Sequence, residues 1–143
     1  MTKPRPLSTT DRKINGLLEA ARQPLSAYEI LDKLRKEGLR SPPTVYRALE
    51  KLQRQGLVHR IESLGAFVAC RHACKAHHGA MSPMAICASC GQVRELCAPT
   101  LARALQKIGG EFLAHIDDRV LEVTGVCRVC DSKSKPKKAK RHV

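Results

Sequence analysis

Ser41-Pro42-Pro43-Thr44-Val45-Tyr46-Arg47-Ala48-Leu49-Glu50-Lys51-Leu52 runs through Gln53-Arg54-Gln55 into Gly56-Leu57-Val58-His59-Arg60, and the fold is read from this stretch. Prolines are tolerated in the first turn of a helix, where the missing N–H would have no partner anyway. Val45, Leu49 and Leu52 recur at i, i+4 and i+7, the spacing of one apolar helix face. Thr44, Tyr46, Arg47, Lys51 and Arg54 are expected on the opposite face, and Gly56 ends the helix. Two β-prone runs follow, Leu57–Ile61 and Ala66–Ala69, with Gly65 between them, which reads as a hairpin. Upstream, Ser8-Thr-Thr-Asp11 and Ser26-Ala-Tyr-Glu29 each have the capping-box pattern that opens a helix. Apolar faces follow each box: Ile14, Leu17 and Leu18, then Ile30, Leu31 and Leu34. The first helix should end near Gln23-Pro24, and Gly38 is suited to the position just past the second. Three helices and a two-stranded ribbon make a winged helix-turn-helix, with the N-terminal part of the third helix turned to DNA.

The outward residues suit that task. Arg47 has the fork that pairs with a guanine edge, worth about 1–3 kcal/mol of discrimination. Tyr46 would contact a base or a phosphate, and Thr44 a phosphate or a thymine methyl. Lys51 and Arg54 suit phosphate contacts. An ordinary amphipathic surface helix has the same pattern, so charge and context must decide. The chain has 143 residues and a net charge of +13. Residues 1–62 carry 13 Lys/Arg against 7 Asp/Glu, residues 63–132 carry 7 against 6, and residues 133–143 carry 6 and none. A basic excess around the helix and hairpin, next to a nearly neutral middle, points to a polyanion-binding module followed by one with another task.

That second module is expected to be small. Met84–Cys87 and Gln92–Leu96 read as strands around a tight turn at Ser89–Gly91. Pro99 to about Ile108 reads as a helix stopped by Gly109-Gly110, and Arg119–Val126 as a strand. Residues 131–143 are basic and of low complexity, and are expected to be disordered. A unit of this size buries little core and needs a staple. Cys87-Ala-Ser-Cys90 and Cys127-Arg-Val-Cys130, separated by 36 residues, supply one. Two C-x2-C pairs on tight turns complete a tetrahedral shell of four thiolates, the pattern of structural zinc; two redox motifs are the competing reading. All four positions are filled by protein, so such a site has no opening for catalysis.

P-P-T-V-Y-R-A-L followed by G-L-V-H-R resembles the ferric-uptake-regulator family, and the resemblance continues to about residue 130. It implies an α+β chain: a winged-helix DNA-binding domain over residues 1–69, a ligand-bearing hinge over 70–82, a small α/β dimerisation domain over 83–130, and a tail over 131–143. Tyr46 and Arg47 match residues of the family's recognition helix. In its zinc-responsive branch, Tyr28 matches a tyrosine that also touches DNA, although Tyr28 reads equally well as a half-buried helix residue. Asp32 and Arg35 match an acidic and a basic residue that pair between neighbouring dimers on one operator; read alone, they are an i,i+3 pair. The branch's regulatory ligands match His59, Cys70, His78 and Glu95, with His77 as the substitute for His78. One thiolate among nitrogen and oxygen donors suits tetrahedral Zn(II). The iron-sensing branch carries a clustered H-H-D-H stretch close before the first C-x2-C, and none is present here. The resemblance thus implies a zinc-responsive repressor of zinc-uptake genes. It would hold two Zn(II) per subunit, one structural and one regulatory, and act as a homodimer on a palindromic operator, with one or two dimers per operator. An iron or peroxide sensor of the same family, or a non-sensing zinc-ribbon scaffold, is the alternative.

Other classes are set aside by what the sequence lacks. It has no run of about 18 apolar residues that would span a membrane, and its N-terminus does not read as a signal peptide. Seven cysteines without a secretion signal read as metal ligands or reactive thiols in a reducing bacterial cytoplasm. No G-x-S-x-G, H-E-x-x-H or phosphate loop suggests an enzyme. His72, Cys74, Cys97 and His115 are further metal or thiol candidates, with Cys74 or Cys97 as a free thiol and His115 paired with Asp117.

Overall fold

The computed structural model describes residues 5–71, 83–116 and 120–134. Its first unit contains helices α1 (Thr9–Ala20), α2 (Ala27–Leu34) and α3 (Pro42–Arg54), then strands β1 (Val58–Ile61) and β2 (Ala66–Ala69). Both expected capping boxes form. Ser8 Oγ accepts from the Asp11 N–H at 3.1 Å and the Asp11 carboxylate accepts from the Ser8 N–H at 2.7 Å; Ser26 and Glu29 do the same at 3.2 and 2.7 Å. The first helix ends at Ala20, earlier than Gln23-Pro24, with the Ala21 N–H capping on Leu17 O. A 3-10 turn over Arg35–Glu37 prolongs α2, and the chain leaves it through Gly38 at φ +96°, a conformation that a side chain would resist. The helices bury one contiguous core that includes Ile14, Leu18, Ile30, Leu34, Val45, Leu49 and Leu52.

β1 and β2 pair antiparallel, with His59 opposite Val68 and Ile61 opposite Ala66. The hairpin turns through a 3-10 segment, Glu62–Leu64, and then Gly65. This arrangement of three helices and a ribbon is the winged helix-turn-helix expected from the sequence.

The second unit is a three-stranded sheet in the order β4-β3-β5. β3 (Met84–Cys87) runs antiparallel to β4 (Val93–Glu95) and parallel to β5 (Glu122–Gly125). The parallel pairing needs a crossover, which α4 (Pro99–Gly110) provides. Two expectations are corrected here. Gly109 and Gly110 do not stop α4 but form its last turn. A Cβ on Gly109 would lie 2.9 Å from Ile116 Cδ1, the tip of a side chain that would have to shift to make room. Residues 131–134 are also not a disordered tail. They complete α5 (Arg128–Ser134), a helix that starts within the second C-x2-C.

Glu95 and Glu122 both lie opposite Met84, one on each neighbouring strand. Residues in register across a sheet project from the same face. On that face Met84 and Ile86 pack with Ile61 of β1, and with the half-buried Val68 and Val93, to form a small second core that joins sheet to hairpin.

Candidate metal centres and nucleic-acid interface

Cys87 ends β3, Cys90 closes the turn after it, Cys127 lies just before α5 and Cys130 lies in its first turn. Spacing of i, i+3 at a helix start sets the last two thiols on one side. All four sulfurs lie within 4.8 Å of one another, and Cys90 Sγ is 3.9 Å from Cys127 Sγ. Zinc–thiolate bonds of about 2.3 Å place the corners of a tetrahedron roughly 3.8 Å apart, so the cluster fits Zn(II). The Cys127 N–H, 3.2 Å from Cys87 Sγ, is the largest of several hydrogen bonds that hold the Cys87 thiol down at about 6; backbone groups of Cys90 and Ser89 add to it. Cys130 is pushed up to about 12 by its hydrogen bonds to Cys127 and Cys90. One thiolate is thus favoured within the cluster, the form that a metal ligand must take.

A second cluster lies where the hairpin meets the sheet. His59 comes from β1, Cys70 follows β2 and Glu95 ends β4, and their ligand atoms again lie within 4.8 Å of one another. Glu95 Oε1 is 3.4 Å from His59 Nε2, and the Cys70 thiol is 3.6 Å from Glu95 Oε2. The Glu95 carboxylate is 7% exposed and also accepts from the Arg71 N–H at 3.2 Å. These separations fit three donors around one tetrahedral ion, with bonds of about 2.0–2.3 Å. His78, the fourth residue expected there, lies outside the described residues, as do His72, Cys74, His77 and Asp117. His115 is exposed, and Cys97 is disulfide-bonded rather than a free thiol.

On the helical side, Tyr28 is 66% exposed and Tyr46 47%, so Tyr28 is not the half-buried residue that its alternative reading required. Arg47 is exposed and Thr44 half-buried near the start of α3. Asp32 and Arg35 form an exposed i,i+3 pair, Nε to Oδ1 at 3.8 Å. Arg54 pairs with Glu50 at 2.5 Å.

Lys51 departs from expectation. Its ammonium turns inward, donating to the buried Asp11 carboxylate at 2.6 Å and to Pro6 O at 2.9 Å. Burial raises the Asp11 pKa, but the hydrogen bonds from Lys51 and Ser8 outweigh it and hold the carboxyl below its ordinary range. Lys51 is therefore an internal tie between α3 and α1, not an outward cation. Helical spacing alone missed this, because the partner lies 40 residues away.

Two further contacts between the units have no signature in the sequence. The Gln23 side-chain amide donates to Cys90 O at 2.8 Å. The Glu122 carboxylate accepts from the backbone N–H of Glu62 at 2.5 Å and of Ser63 at 3.2 Å, at the loop end of the hairpin.

Comparison with known proteins agrees with this architecture. Residues 6–124 match the ferric uptake regulator family model. The chain is 38% identical over 107 residues to the zinc uptake regulation protein of Escherichia coli (strain K12), and to that of Shigella flexneri to the same extent. Each match covers 74% of this chain and 61% of the relative, so the chain spans less than two thirds of the length of these curated relatives. Among solved structures, a zinc uptake regulator complexed with zinc and DNA superposes with a TM-score of 0.81 at 32% identity, covering 90% of this chain and 85% of that one. The structure of holo XcZur follows with a TM-score of 0.76 at 34% identity, over 91% and 89% of the two chains. With its winged helix, its four-cysteine cluster and a family match over residues 6–124, this chain belongs to the ferric uptake regulator family.

Proposed function

We propose that the chain is a zinc-responsive, DNA-binding transcriptional repressor of zinc-uptake genes, not an enzyme, and that it works in the bacterial cytoplasm as a homodimer on a palindromic operator. The observation that carries this reading is the His59–Cys70–Glu95 cluster, whose donors come from the hairpin on one side and the sheet on the other. A ligand that bridges the two units has a different affinity for the joined and parted states, which is what a switch requires. The thiolate of Cys70 favours Zn(II) over the nitrogen–oxygen set of an iron sensor. Support also comes from the relatives, which are zinc uptake regulators, one of them solved with zinc and DNA.

On this reading residues 1–69 read DNA, 70–82 form the hinge and 83–130 dimerise. Each subunit holds two Zn(II), one structural at Cys87, Cys90, Cys127 and Cys130, one regulatory at His59, Cys70, Glu95 and His78. When bound, the regulatory ion supplies a tie across the joint. Tyr28, Thr44, Tyr46 and Arg47 then make the DNA contacts. Asp32 and Arg35, exposed and 3.8 Å apart, are available to pair with a second dimer on the same operator. Val123 on β5 and Phe112 after α4 are 53% and 91% exposed, apolar surface that dimerisation would cover. No helix among the described residues is long and apolar enough to cross a membrane.

The test is operator binding against buffered free zinc, for wild type and Cys70→Ser, at one fixed salt concentration because phosphate contacts make affinity salt-dependent. Wild type should tighten steeply with zinc while folded Cys70→Ser stays weak. Equal binding of both proteins at every zinc level would leave zinc a structural role only, as in a non-sensing scaffold.

A further inference from the structure

Among the described residues, polar groups hold the hairpin to the sheet at two places, one of them the candidate metal cluster. Near the base of the hairpin, Glu95 faces His59 and Cys70. At its far end, Glu122 faces the loop. The two glutamates are set symmetrically about Met84, since each lies in register with it on a neighbouring strand. Between them Met84 and Ile86 seal against Ile61, the last residue of β1.

Glu122 engages the backbone of the hairpin loop, and its carboxylate also hydrogen-bonds the Ser63 side chain. Its Oε1 accepts from the Glu62 N–H at 2.5 Å, and its two oxygens share the Ser63 N–H at 3.3 and 3.2 Å. These amides open the 3-10 segment Glu62–Leu64, where the first N–H groups have no partner within the turn. The carboxylate thus caps a helical turn from another unit, about 60 residues away in the chain. Because two of the partners are main-chain amides, the contact fixes the path of the hairpin as well as the Ser63 side chain.

We infer that Glu122 is a metal-independent latch, a positioning residue that holds the β1–β2 hairpin over the sheet so that His59 and Cys70 already face Glu95 before any metal arrives. The inference rests on the proposed regulatory site for its consequence. A site assembled in advance loses less free energy to ordering on binding, so its apparent affinity rises with the fraction of molecules already in the competent pose. The lowered Glu122 pKa, set first by its hydrogen bond with the Ser63 side chain, keeps the latch charged at neutral pH.

The test uses full-length protein without DNA, so that it stands whether or not the operator reading does. Backbone hydrogen exchange at Glu62 and Ser63, and zinc affinity of the regulatory site by chelator competition, are compared in wild type, Glu122→Ala and Glu122→Gln. Zinc content at the four-cysteine site and thermal melting confirm that each variant is folded; the isosteric Glu122→Gln serves if the alanine variant is not. Glu122→Ala should exchange these two amides about tenfold faster and bind regulatory zinc about fivefold more weakly, as expected for losing charge-assisted bonds that are partly open to water. Glu122→Gln, which keeps an acceptor but not the charge, should shift zinc affinity about twofold. Wild-type exchange rates in both variants would overturn the latch. Faster exchange with unchanged zinc affinity would overturn its positioning role. Failure of wild type to bind any operator would sink the repressor reading and leave both of these readouts intact.

Discussion

Replacing Lys51 by methionine separates two roles that the sequence could not tell apart. The Lys51–Asp11 pair is 2.6 Å long, with side-chain exposures of 28% and 6%. Breaking a fully buried pair costs about 3–5 kcal/mol, and an exposed pair is worth at most about 1 kcal/mol. Lys51 lies between these limits, and Asp11 keeps the Ser8 N–H at 2.7 Å as a partner. The expected loss is therefore about 2 kcal/mol, which for a unit of this size lowers the melting temperature by roughly 10 °C. Urea and thermal unfolding of Lys51→Met measure it. In the same protein, the slope of log operator affinity against log salt should stay at the wild-type value, because no phosphate contact has been lost. Arg47→Met should do the reverse, weakening operator binding with little change in stability. The reasoning fails if Lys51→Met is as stable as wild type within about 0.5 kcal/mol and its salt slope falls by about 0.9, the signature of one lost phosphate contact.

The same pair sets a pH dependence. The folded pKa of Asp11 lies below its ordinary value of 3.8, so its stabilisation is present above that value and is lost as pH falls through the folded one. Urea melts of wild type and Asp11→Asn should therefore converge below about pH 4; a difference that stays constant down to pH 3 would refute the charged tie. At the four-cysteine cluster, Cys127→Ser or a strong chelator should release structure over residues 84–134 while α1–α3 stay protected from hydrogen exchange, because structural zinc supplies roughly 10–16 kcal/mol of apparent folding energy. Full protection in both units after metal removal would refute the staple.

How far the sequence could be read follows from the range of the interactions. The winged unit was legible because its signals are local. Both capping boxes span three residues, and the stripe from Val45 to Leu52 lies within one helix. The first unit failed where the partner was distant: nothing near Lys51 announces Asp11. In the second unit the two C-x2-C pairs were legible because a metal demands its ligands in a fixed count and spacing. The helix through the second pair was not, since Arg128–Ser134 offers no apolar period; its structure is set by Cys127 and Cys130 reaching Cys87 and Cys90. His59 on β1, Cys70 just after β2 and Glu95 on β4 have no spacing rule of their own, so only family resemblance could group them. Glu122 had neither rule nor resemblance to mark it, and only the register of β5 on β3 reveals its task.

The joint between the units explains why a metal could control it. The winged core buries fifteen residues in one cluster, whereas the joint buries Ile61, Met84 and Ile86, with Val68 and Val93 half-covered. At about 1.5–3 kcal/mol for a fully buried apolar side chain, this contact is small beside either the winged core or a structural zinc site. On the proposed reading the two units therefore part without unfolding. A few further ties then decide the population of the joined state: Gln23 on Cys90, Glu122 on the hairpin loop, and the donors at His59, Cys70 and Glu95. Ties made only of hydrogen bonds do not depend on zinc and bias the joint by a constant amount, whereas on the proposed reading the occupancy of the His59–Cys70–Glu95 cluster varies with free zinc. If the joined state is the one that fits the operator, zinc and DNA must strengthen each other's binding by the same factor. Weakening a constant tie should then shift the zinc concentration at which operator binding reaches half-maximum, without abolishing the response.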